Sequence, residues 1–160
     1  MDIKASYALL DKILVLKKSA LFATISTSEL RAVAAVAEEL CFKQGELIVK
    51  EDEIGDALYL IRDGSVRISK SIGGGRTVDL ASMEAGECFG EMAAIDEEVR
   101  SASVYARQEC MVLRISKDDL LDVLQSSPQI GIELLRIFVK RLRLANRRIE
   151  TLSQSPVGGG

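Results

Sequence analysis

From Leu40 to Ile115, short apolar segments recur about every 8–12 residues, cut by Gly45, Gly55, Gly64, Gly73-Gly74-Gly75 and Gly86. Segments this short, each ended by a residue free to turn, are strands. Strands spaced so closely pair antiparallel and close into a roll or barrel. Leu58-Tyr-Leu-Ile61, then Asp63-Gly64, then Val66-Arg-Ile-Ser69 reads as a hairpin turning at Asp-Gly. The triple glycine before Arg76 reads as the tip of the next hairpin. It is not a phosphate-binding glycine loop, because no Lys-Ser/Thr follows and no helix opens there.

Helical patterns flank this region. Residues 6–17 carry apolar residues at helical spacing. Ser26-Thr-Ser-Glu29 is a capping box with Ser26 as N-cap, and the helix it opens is expected to reach about Glu39. Ser116-Lys-Asp-Asp119 caps a further helix, and Ser127-Pro128 starts the last one, with proline at its first position. That helix is expected to run to about Leu152. The order defines an α+β chain: an antiparallel, jelly-roll-like β-roll flanked by N-terminal helices and a long C-terminal helix. At 160 residues it reads as one domain over 1–152, with the roll at about 40–116, the C-terminal helices at about 117–152, and a flexible tail at 153–160.

Composition narrows the function classes. A chain 48% hydrophobic and 28% charged can build a core, and the scarcity of aromatic residues makes that core aliphatic. A net charge of −3 argues against binding nucleic acid over the whole surface. No apolar run approaches the roughly 18 residues a membrane span needs. Lys4, Asp11 and Lys12 break any signal-peptide core. Cys41, Cys88 and Cys110, odd in number and without CxxC spacing, read as small buried hydrophobes in a reducing, cytoplasmic setting. The chain has no histidine, so it lacks the commonest general base and metal ligand. No catalytic residue, metal site or cofactor is assigned, and the chain is not expected to be an enzyme.

One stretch carries chemistry: Phe89-Gly-Glu-Met-Ala-Ala-Ile-Asp-Glu-Glu-Val-Arg-Ser-Ala-Ser-Val104. Gly90 and Glu91 stand at the mouth of a short helix, and Arg100 is a lone cation followed by Ser101-Ala102-Ser103. A guanidinium offers a planar fork to a phosphate. A carboxylate accepts from a sugar hydroxyl. A glycine lets backbone come close to a ligand. By residue chemistry alone, a simple Glu91–Arg100 ion pair on a loop is the competing account.

The combination Phe89-Gly90-Glu91-Met92-Ala93, a variable stretch, then Arg100-Ser101-Ala102-Ser103-Val104 resembles the signature of cyclic nucleotide-binding domains. That family includes the sensor domain of the catabolite activator protein and the protein kinase A regulatory subunits. The likeness covers about Leu21 to Leu152. It implies that Gly90, Glu91, Met92, Arg100, Ser101 and Ala102 bind the ligand, with Glu91 on the ribose 2′-hydroxyl and Arg100 on the cyclic phosphate. It also implies that Ile68, Leu80 and Phe89 line the slot for ribose and base; plain roll core is the alternative for each. Ser101 stands where cAMP-selective members carry Ser or Ala and cGMP-selective ones Thr, so cAMP is favoured over cGMP.

In the last helix Leu135, Phe138, Leu142, Ala145, Ile149 and Leu152 follow heptad spacing, flanked by Lys140, Arg141, Arg143, Arg147 and Arg148. Either this face packs on its own roll or it joins two copies into a homodimer, and the length of the seam favours the dimer. The resemblance makes Arg141, Ala145 and Asn146 candidates for contacting the base or closing over it, a solvent-facing Asn146 being the alternative. Only eight residues follow Leu152, so no DNA-reading helix-turn-helix is expected here. The chain therefore reads as a cyclic nucleotide sensor that signals through its last helix to a partner copy or to an effector on another chain. The alternative is a degenerate roll used only for oligomerisation or docking.

Overall fold

The computed structural model describes residues 2–96 and 98–154, and of residues 92–94 the backbone only. The described residues form helices α1 (Ile3–Lys18), α2 (Thr27–Val36), α3 (Glu91–Asp96), α4 (Lys117–Ser126) and α5 (Pro128–Gln154). The strands are β1 (Glu38–Phe42), β2 (Leu47–Val49), β3 (Ala57–Asp63), β4 (Ser65–Gly73), β5 (Arg76–Glu84), β6 (Cys88–Phe89), β7 (Ser103–Ala106) and β8 (Cys110–Ser116). They make two antiparallel four-stranded sheets, ordered β1-β8-β3-β6 and β2-β7-β4-β5. This is the expected α+β roll flanked by helices. The stretch at 155–160, where most of the flexible tail was expected, lies outside the described residues.

Strand alternation builds two cores from one sheet. Ala57, Tyr59 and Ile61 of β3 point into the roll, where they meet Val49, Val66 and Val104 from the facing sheet. Leu58 and Leu60 point the other way, onto Leu16, Phe22, Leu30 and Val33 of the helical layer. Sheet β1-β8-β3-β6 is thus buried on both faces at its centre, which is why β3 carries an unbroken apolar run. In contrast, β5 is exposed along almost its whole length. An ionic tie fixes α1 to the roll: Arg62 of β3 lies 2.5 Å from Asp11 and 2.6 Å from Glu39.

Helix starts follow the sequence. Ser26 Oγ accepts from Glu29 N–H at 3.3 Å, and Ser116 Oγ from Asp119 N–H at 3.1 Å. The end of α2 does not. It stops at Val36 rather than near Glu39, because Glu38–Phe42 pair with β8, opposing Glu38 to Arg114. Tertiary pairing overrides local helix propensity here.

The Asp63-Gly64 turn is also not a hairpin. β3 has β8 and β6 on its two edges, and β4 has β7 and β5, so the two strands cannot pair and the turn carries the chain from one sheet to the other. Gly64, at φ 88°, is needed there because a Cβ would stand 2.5 Å from the Glu109 carbonyl oxygen. The triple-glycine turn does join a hairpin, β4–β5. Cys88 and Cys110 are buried as expected, but Cys41 is exposed.

Candidate functional site

β6, Gly90, α3 and the loop running into β7 enclose one side of a cavity of about 400 Å³. Its floor is aliphatic and aromatic, with Val49, Ile68, Met83, Phe89 and Val104. Its polar edge carries Glu91, Asp96, Glu98, Arg100 and Ser101, with Ala102 beside them. The cassette expected from the sequence therefore converges on one space, apart from Met92, whose side chain lies outside the described residues.

Arg100 is the unusual member, a cation only 6% exposed. Its Nη2 donates to the Ala57 carbonyl at 3.2 Å and lies 3.8 Å from Asp56, itself largely exposed. The guanidinium carbon stands 5.6 Å from the ring centroid of Tyr59, and Tyr59 stacks on Phe89 at 5.1 Å and 4°. Among the described residues, one carbonyl, a long ion pair and an aromatic face are sparse partners for a sequestered charge, so an anion in the cavity would gain strongly from it. Its backbone is pinned on both sides: Arg100 N–H donates to Glu53 O at 2.8 Å, and Asp52 N–H donates to Arg100 O at 2.9 Å. Among the described residues, Asp52 is the one non-glycine with positive φ, at 68°. Strain of that kind is stored where the surrounding structure enforces it.

Gly90 does more than the sequence indicates. Its φ is 81°, and a Cβ there would lie 2.7 Å from Arg100 Nη1 and 2.9 Å from the Ala57 carbonyl. The missing side chain makes room for the arginine, whatever it also does for a ligand.

Glu91 does not pair with Arg100. Its Oε1 accepts from Arg141 Nη1 of α5 at 3.2 Å, so the simple Glu91–Arg100 loop ion pair is absent. Cys88, also on the cavity wall, has its thiol pushed up to about 12, first by burial and then by Glu91, and stays protonated at neutral pH.

Of the remaining expectations, Ile68 and Phe89 do line the cavity. Leu80 does not: the β4–β5 register pairs Ile68 with Ala81 and Ser69 with Asp79, passing over Leu80, which is 56% exposed. Met83 takes the apolar role on β5 instead. Ala145 and Asn146 lie on the exposed half of α5 and are not among the residues lining the cavity. The sequence reading missed Met83, Val49 and Tyr59. Tyr59 had no signal beyond an aromatic in a strand, since its use depends on where Arg100 folds back.

Fold and cavity together have the form of a small-ligand-binding β-roll. Residues 39–127 match the cyclic nucleotide-binding domain family. The chain is 32% identical over 138 residues to the cyclic AMP receptor protein of Thermus thermophilus, covering 86% of this chain and 64% of that protein. It superposes with a TM-score of 0.75 on the N-terminal domain of a transcriptional regulator from Streptomyces coelicolor, at 29% identity, covering 83% of this chain and 95% of that one. It does so equally, at 0.75 and 26% identity, on the regulatory domain of Toxoplasma gondii PKA crystallised with cAMP, covering 88% and 51%. The chain belongs to the cyclic nucleotide-binding domain family. It spans 64% of the length of the Thermus protein and 65% of a CRP-like regulator from Mycobacterium tuberculosis to which it is 28% identical. No helix among the described residues is long and apolar enough to cross a membrane.

Proposed function

We propose that the cavity binds a cyclic nucleotide, cAMP in preference to cGMP, without turning it over, and that occupancy is signalled through α5. The observation that carries this reading is Arg100: a nearly buried guanidinium, sparsely partnered, in the wall of a cavity of about 400 Å³. A cyclic phosphate supplies one negative charge and two exocyclic oxygens to that fork. Glu91, on the same polar edge, accepts from the ribose hydroxyl. Similarity to a protein named for cyclic AMP and to a domain crystallised with cAMP supports the choice of ligand.

The signalling step rests on the Glu91–Arg141 contact, which ties the cassette directly to α5. A hydroxyl arriving at Glu91 acts on the carboxylate that holds the helix. The ligand then shifts the position of α5 by its differential affinity for the two arrangements. Calorimetric titration with cAMP and cGMP tests this reading: saturable heat with cAMP, tighter than with cGMP, is expected. No heat with either at about millimolar ligand overturns it and leaves a scaffold role. Conversion of cAMP to the monophosphate would overturn the claim of binding without turnover.

The same helix offers a surface to a second copy. Ile130 and Leu134 are buried, and Phe138 packs on the helical core, so Phe138 is turned away from the seam expected in the sequence. The line left exposed is Ile132, Leu135, Val139, Leu142 and Ile149, with Asn146 interposed at heptad spacing. We read this line as the homodimer seam, where an interior Asn sets register. Leu142, 63% exposed in the single chain, is its centre. Leu142→Asp is expected to give a monomer in analytical ultracentrifugation at concentrations where the wild type is a dimer. A persistent dimer would place the interface elsewhere.

A further inference from the structure

A second cation, outside the cavity lining itself, is hydrogen-bonded to Ser101, the residue next to Arg100 in that lining. Lys70, two residues beyond Ile68 on the same face of β4, donates from Nζ to the Ser101 carbonyl at 2.8 Å. Its Nζ also lies 3.7 Å from Glu51 Oε1. Glu51 is itself well held: Oε2 accepts from Ser71 N–H at 2.9 Å, and its own N–H donates to Ser103 Oγ at 2.9 Å. The ammonium thus sits against the Arg100–Ala102 segment, and Glu51, which it faces, directly precedes the Asp52–Glu53 turn that pins the Arg100 backbone.

Resting on the reading of the cavity given above, we propose that Lys70 is an affinity-setting residue for the ligand's phosphate, with Glu51 as the counter-charge that tempers it. Arg100 has a rigid fork, committed to one geometry. Lys70 carries a point charge on a flexible stem and can move from the Ser101 carbonyl to a phosphate oxygen without backbone change. Glu91 is engaged by Arg141 and does not compete for it. Because Lys70 is about half exposed, its effect is moderate and screened by salt.

The test is titration of the full chain with cAMP at about 20 mM and about 0.3 M salt. Lys70→Met keeps most of the stem and removes the charge. It is expected to weaken binding roughly three- to fivefold at low salt and to converge on the wild type at high salt. Lys70→Arg is expected to restore most of the affinity. Glu51→Gln keeps an acceptor for Ser71 N–H but removes the counter-charge, and is expected to tighten binding at low salt. Wild-type affinity in Lys70→Met, or an equal loss at both salt concentrations, overturns the proposal; the second result would make Lys70 a structural brace. A wild-type chain that binds neither cyclic nucleotide sinks the parent reading and this one together. Binding by the wild type with an indifferent Lys70→Met sinks only this one.

Discussion

Arg100→Ala is expected to lower cyclic nucleotide affinity by two to three orders of magnitude, about 3–4 kcal/mol, while the domain stays folded. The loss is large because Arg100 is desolvated already, so the ligand's phosphate meets a charge with little water to displace. The fold should tolerate the change. The side chain lines a cavity, so its removal enlarges a space that already exists and leaves the packed core untouched. It also removes a charge whose burial is only partly offset by the Ala57 carbonyl and Asp56. Arg100→Lys is expected to lose nearly as much, since an ammonium cannot present two parallel donors. Calorimetry with cAMP, alongside a thermal melt, checks both variants. Unchanged affinity in either variant would remove Arg100 from the site.

Gly90→Ala is expected to damage fold and binding together. A residue with a Cβ at φ 81° costs roughly 1–2 kcal/mol by itself. The Cβ also lands 2.9 Å from the carbonyl of Ala57, which is fully buried in the double-faced strand β3 and has no space into which to retreat. Overpacking of that kind adds about 1–3 kcal/mol. Arg100, 2.7 Å from the new methyl, must leave its position over Tyr59. A drop of about 2–5 kcal/mol in urea unfolding, with weaker cAMP binding in the fraction still folded, is the expected result. A wild-type unfolding curve would contradict the geometry on which the site rests.

The two variants mark how far the chain could be read. Phe89-Gly-Glu and Arg100-Ser-Ala were visible as a cassette through their resemblance to the signature of cyclic nucleotide-binding domains; residue chemistry alone left a Glu91–Arg100 ion pair as the competing account. The helix starts at Ser26 and Ser116 were visible because a cap is made within four residues. The Asp63-Gly64 hairpin was misread because turn chemistry says that the chain bends, not which sheet it enters next. Leu80 was misplaced because one bulge in β5 moves a residue off the pairing, and no local pattern announces it. Phe138 was assigned to the outer face of α5 because two apolar lines run along that helix, and only contact with the helical core tells them apart.

By itself, then, the sequence determined what is local or set by chemical type: the roll-forming rhythm, the flanking helices, the capping residues and the cassette that matches the family signature. The tertiary structure decided the partnerships. It set Arg100 against the Ala57 carbonyl and Tyr59, gave Glu91 to Arg141 of the last helix, and brought Lys70 to Ser101. Each of these joins residues at least 31 positions apart. Propensity and periodicity act over a few residues, whereas such contacts exist only once both sheets have closed and the helices have packed on one of them.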